Sequence, residues 1–136
     1  MTDLKELHHW EVLAVSCIDG RFIKRVTEWL AVETGGVFDY RTEVGATKAI
    51  LDCESDRDAC CNVIATSLKL HDVKKLFLID HIDCGAYGGS KQFASEDEER
   101  KFHLEQLDKA AVIIAKKYPQ IEIKKVFADW DEIKFV

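Results

Sequence analysis

The apolar positions fall into short runs whose period changes along the chain. WEVLAVSC (10–17) is continuous, rich in β-branched residues, and predicts a buried strand. FIKRVTEWLAVET (22–34) groups Phe22, Ile23, Val26, Trp29, Leu30 and Val32 at near-helical spacing, and Gly35 and Gly36 stop it. VFDYRTEV (37–44) alternates and predicts a second strand, broken by Gly45. SDRDACCNVIATSLKLH (55–71) opens on Ser55 with Asp58 three residues later, the signature of a capped helix start. KKLFLID (74–80) is the clearest strand. EDEERKFHLEQLDKAAVIIAKKY (96–118) predicts a long helix, with acids in its first turn and lysines in its last. IEIKKVFAD (121–129) predicts a fourth strand, and DEIKFV (131–136) a short fifth paired back antiparallel.

This alternation predicts an α/β fold, a mainly parallel central sheet of four to five strands flanked by helices. A length of 136 residues fits one domain, 1–136. Right-handed crossovers put the C-terminal ends of parallel strands on one rim, where ligands bind at a switch in strand order. Cys17 ends the first strand and His81 follows the third, so neighbouring strands would bring them together.

Composition narrows the chemistry. The formal charge of −6 argues against phosphate-backbone binding as the main task, and the weak basic patch KKYPQIEIKK is expected to be a solvated helix end and strand edge, so no nucleic-acid partner is expected. No apolar run approaches the roughly 18 residues of a membrane span. MTDLKELHHW lacks the basic start and apolar core of a signal peptide, so a cytoplasmic protein with reduced thiols is the expectation. Five cysteines, an odd number, fit a closed disulfide framework poorly. Neither a G-x-G-x-x-G turn nor a Walker-type lysine loop follows a strand.

Two motifs carry the chemistry. CIDGR (17–21) offers Cys17, Asp19 and Arg21; HIDCG (81–85) offers His81 and Cys84. Two thiolates and an imidazole are the ligand set zinc prefers, and three protein ligands are the count of a catalytic rather than a structural site. His-x-x-Cys lets two ligands from one turn reach one ion, and Gly85 is expected to let the backbone bend there. Arg21 can hold Asp19 in a bidentate pair, and Asp19, two residues from Cys17, can reach a metal or its water. Asp83 is expected to cap the turn through backbone amides. Cys53, Cys60 and Cys61 are expected to be structural; Cys60 and Cys61, adjacent on a helix, cannot point to one ion and are expected to be packing residues. His8 and His9 are expected in solvent, and the EDEER run on the charged face of its helix.

CIDGR followed by HIDCG at this separation resembles the β-class carbonic anhydrases, whose pattern is Cys-x-Asp-x-Arg and His-x-x-Cys on a parallel-sheet core. The likeness runs from about residue 12 to residue 90, and the strand–helix order continues it to the end. The resemblance implies Zn²⁺ held by Cys17, His81 and Cys84, with the catalytic pair Asp19 and Arg21 beside it. It implies reversible hydration of carbon dioxide to bicarbonate and a proton, in a homodimer or higher homo-oligomer with sites near the subunit interface. The implied substrate-pocket wall is Val44, Gly45, Ala46, Gly85, Ala86 and Tyr87. Where the family carries an Arg-Asn-Ala-Gly-like stretch, this chain has EVGATK (43–48), keeping only Gly45 and Ala46. Some nine residues precede the first strand, where the family has a longer helical arm. The proton shuttle is open, with His103 and His71 candidates by type. Two other readings stay open: hydrolysis of COS or CS₂ on the same scaffold, and a zinc-binding, non-catalytic regulatory or assembly module. Thiol–disulfide chemistry through Cys17 and Cys84 lacks a C-x-x-C motif.

Overall fold

The computed structural model describes residues 3–136. Its elements run β1 (Val12–Cys17), α1 (Gly20–Thr34), β2 (Asp39–Glu43), α2 (Thr47–Asp52), α3 (Glu54–His71), β3 (Lys75–His81), α4 (Glu96–Lys117), β4 (Glu122–Ala128) and β5 (Ile133–Phe135). The sheet order is β2-β1-β3-β4-β5. The first four strands are parallel, and β5 pairs antiparallel with β4, as the sequence predicts.

Strand composition follows burial. All six residues of β1 are buried, as are six of the seven in β3, which is why both read as unbroken apolar runs. Side chains alternate between two faces. Leu13, Val15, Leu76 and Leu78 join Ile64, Leu107 and Ile114 under α3 and α4. Val12, Ala14, Phe77 and Ile79 meet Phe22, Val26 and Leu30 of α1 on the other face. Those three α1 residues recur every fourth position, one stripe of the helix.

The chain leaves β1 for β2 on one side, then returns through α3 to β3 on the other. This is a switch point, and it puts Cys17 and His81, the last residues of β1 and β3, on one rim. Among the described residues, no helix is long and apolar enough to cross a membrane.

Two local expectations are corrected. The second long helix starts at Glu54 with Cys53 as its N-cap residue, so Ser55 lies inside the first turn rather than capping it. The acids Glu54 and Asp56 in that turn complement the helix dipole without a side-chain cap. The stretch after Gly45 also forms a short helix, α2, that alternation did not reveal. Its six residues make fewer than two turns, too few to show a period.

Candidate metal centre

Cys17 comes from the end of β1, His81 from the end of β3 and Cys84 from the turn that follows. Their ligand atoms, two sulfurs and an imidazole nitrogen, lie within 4.8 Å of one another, and all three residues are buried. The two distant motifs therefore converge. No disulfide joins them; all five cysteines are free.

Local hydrogen bonding aims these atoms. His81 Nδ1 is 2.7 Å from the carbonyl of Ile82, which can only accept, so Nδ1 carries the proton. That leaves Nε2 facing the sulfurs, buried and without a hydrogen-bond partner. The His81 ring packs against Phe22 at 4.4 Å between centroids, which fixes its plane. The backbone at Asp19 and Gly45 favours the Cys17 thiolate, and that at Ala86 favours the Cys84 thiolate.

The two neighbouring thiols are shifted in opposite directions. The adjacent Cys84 thiol, aided by His81 and the neighbouring backbone, draws Cys17 down to about 4 against the opposing effect of burial. Cys84 is pushed up by the adjacent Cys17 and by burial. Burial disfavours the His81 imidazolium, but the Cys17 sulfur and the Ile82 carbonyl outweigh it and raise its pKa. An orphaned ring nitrogen beside one sulfur held toward its thiolate, with a second sulfur next to it, suits a soft divalent cation.

Asp19 and Arg21 meet beside this cluster. Asp19 is the N-cap of α1 and accepts the Arg21 amide at 2.9 Å. Its carboxylate also accepts from Arg21 Nη2 at 2.6 Å and from Nε at 3.1 and 3.2 Å. Arg21 thereby holds the Asp19 pKa down to about 2. Asp19 Oδ2 stands 3.7 Å from His81 Nε2. Arg21 also reaches the second motif, donating to Asp83 Oδ2 at 3.0 Å and to the Asp83 carbonyl at 2.9 Å. Trp130 stacks on the guanidinium, 5.3 Å from centroid to Cζ.

The expected pocket residues separate. A cleft of about 660 Å³ opens beside the cluster, lined by Asp19, Arg21, Asp83, Gly85, Lys91 and Gln92. Gly85 is the one member of the expected wall on it. Gly45 is buried against Ala86: a Cβ at Gly45 would stand 2.7 Å from the Ala86 Cβ. Ala46 is fully buried and Val44 is exposed. The Tyr87 hydroxyl turns to Thr47 Oγ1 at 2.7 Å.

Gly85 does not make the bend in the turn. Nothing lies within 4 Å of where its Cβ would be, and its φ is not left-handed. Asp83 adopts φ +58° instead. It also caps the turn as expected, accepting the Ser90 amide at 2.7 Å.

His71 sits far from the cluster, on the carboxylate of Asp39 at 2.7 Å. Asp39 pairs in register with Leu13, four residues before Cys17, about 13 Å along the strand. His103 is buried in the core, with Nδ1 2.7 Å from Asp80 Oδ2. His8 and His9 are exposed, and Cys60 and Cys61 are buried in α3. The EDEER run is not uniformly a solvated face, because Glu99 is 1% exposed.

A family model described as "Putative carbonic anhydrase" matches residues 8–135. The chain belongs to this family. It is 30% identical over 127 residues to an uncharacterized protein of Rickettsia bellii (strain RML369-C), covering 88% of this chain and 77% of the relative. It is 30% identical over 128 residues to an uncharacterized protein of Rickettsia conorii (strain ATCC VR-613 / Malish 7), covering 88% and 68%. No solved structure matches the chain at a significant level.

Proposed function

We propose that this protein is a zinc-dependent carbonic anhydrase that reversibly hydrates carbon dioxide to bicarbonate and a proton. One observation carries the reading: two sulfurs and a bare imidazole nitrogen within 4.8 Å of one another, beside a carboxylate held by an arginine. Cys17, His81 and Cys84 would hold Zn²⁺, which when bound brings the ionisation of a coordinated water close to neutral pH.

The chain's own residues supply the rest. His81 keeps Nε2 free for the ion because its other nitrogen is committed to Ile82. Asp19 presents an ionised acceptor next to the ligands and orients the hydrogen of the attacking group. Arg21 keeps that acceptor charged and fixes its orientation. Carbon dioxide enters by the cleft lined by Asp19, Arg21 and Gly85. The protein acts as a homodimer or larger homo-oligomer. The edge position of β2 and the exposed Val44 just beyond it support this, since an unpaired strand edge invites a second chain.

A stopped-flow carbon dioxide hydration assay on metal-analysed protein tests the reading, with Cys84→Ser as control. Hydration that tracks zinc content and disappears in Cys84→Ser supports it. Stoichiometric zinc with no hydration above buffer favours a zinc-binding module that has lost its pocket, the reading to which the altered 43–48 segment points. COS and CS₂, run in the same assay, test the hydrolase alternative on the same residues.

A further inference from the structure

We infer that α4 is the positioning element of the metal-ligand turn, through two buried side chains one helical turn apart, Glu99 and His103. The inference rests on reading Cys17, His81 and Cys84 as ligands. Both residues belong to a charged stretch, yet each is 1% exposed. Residues four apart share a helix face, and here both point at the segment Asp80–Cys84.

Glu99 holds the middle of the turn. Its Oε2 accepts the Asp83 amide at 2.7 Å and its Oε1 accepts the Ser90 hydroxyl at 2.7 Å. The Ser90 amide returns to Asp83 Oδ1 at 2.7 Å, closing a ring of hydrogen bonds around Asp83. That residue is left-handed at φ +58°, a conformation that persists in a non-glycine residue only where its surroundings over-determine it.

His103 holds the beginning of the turn. Its Nδ1–H donates to Asp80 Oδ2, which also accepts Thr47 Oγ1–H at 2.8 Å, while Oδ1 accepts the Thr47 amide at 3.3 Å. Asp80 directly precedes His81, and both it and Thr47 are buried. A buried carboxylate stays in place only while its donors do. Removing the His103 donor leaves Asp80 under-satisfied and releases the segment that carries His81 and Cys84. Packing alone is the competing explanation, because the His103 ring lies 5.2 Å from Tyr87 and 5.4 Å from Phe127.

Substitutions separate the two. His103→Phe keeps a ring and loses the donor; His103→Asn keeps an N–H donor near the Nδ1 position and loses the ring. Glu99→Leu removes both acceptors, and Thr47→Val, a milder change, removes one donor to Asp80. The readout is iodoacetamide alkylation of metal-free, reduced protein, mapped cysteine by cysteine. Cys84 reports the turn, and buried Cys60 on α3 reports global opening.

Cys84 is expected to alkylate at least tenfold faster in His103→Phe and Glu99→Leu, and severalfold faster in Thr47→Val. Cys60 is expected to stay unchanged, and His103→Asn to stay within about twofold of wild type. Unchanged Cys84 rates overturn the inference. So does a joint rise at Cys84 and Cys60 that persists in Thr47→Val, or a defect in His103→Asn alone. Cobalt(II) titration of wild type, read by thiolate-to-cobalt absorption, tests the ligand reading separately. Its failure would refute that reading while the alkylation rates still decide whether α4 positions the turn.

Discussion

Arg21 Nη1 lies 3.0 Å from Asp83 Oδ2 while the same guanidinium grips Asp19 on its other side. One arginine thus joins the two motifs, and the carboxylate beside the cluster is positioned relative to the turn that bears Cys84. A planar, forked group can serve two carboxylates at fixed angles; an ammonium cannot. Arg21→Lys is expected to leave zinc stoichiometry near wild type and lower hydration kcat/KM about 10²-fold. Stopped-flow kinetics with parallel metal analysis checks this.

The ionisation of Asp19 follows from the same contact. The hydrogen bonds from Arg21 lower its pKa from the ordinary 3.8 to about 2 in the folded protein. A depressed carboxylate pKa contributes stability above the unfolded value, and that contribution is lost as pH falls from 3.8 through about 2. The pair therefore stays intact throughout the neutral range. Carbon-detected NMR titration of the metal-free protein is expected to place the Asp19 midpoint near 2 and to return it to the ordinary carboxylate range in Arg21→Gln.

Gly45 joins the β2 side of the site to the turn. Its φ is +74°, and an added Cβ would stand 2.6 Å from the Lys48 Cβ and 2.7 Å from the Ala86 Cβ. Gly45→Ala combines a left-handed non-glycine residue with overpacking, and is expected to cost about 2–4 kcal/mol in denaturant unfolding. Gly85→Ala meets nothing within 4 Å and is expected to be nearly neutral, although Gly85 directly follows Cys84.

A ligand that binds only the folded chain stabilises it by mass action. At free zinc 1,000 times its Kd, the unfolding free energy is expected to rise by about 4 kcal/mol over the chelator-treated protein. Cys84→Ser is expected to lose most of that increment. Denaturant melts at fixed free zinc measure it.

The layout of the fold was legible because β1 and β3 are buried on both faces and so read as unbroken apolar runs. Cys17, His81 and Cys84 were legible because each falls within a residue or a few of a strand end, so strand prediction alone puts them near one rim. The α4 clamp was not. Glu99 stands among Glu96, Asp97 and Glu98, and composition cannot say which acid of a helical run turns inward. Asp80 did carry a signal, a charge at the end of the apolar run KKLFLID, since a carboxylate there must have a buried partner. The sequence does not name that partner, because His103 lies 23 residues away on another element. Nor could periodicity find α2, which is too short to show one.

Zinc K-edge X-ray absorption on the zinc-loaded wild-type protein tests the central claim most directly. The claim is that these three side chains are the protein's whole contribution to the ion's coordination. The expected shell has two sulfurs at about 2.3 Å and light atoms at about 2.0–2.1 Å, one of them imidazole nitrogen, falling to one sulfur in Cys84→Ser. A shell of three or four sulfurs, or a spectrum unchanged in Cys84→Ser, would contradict it.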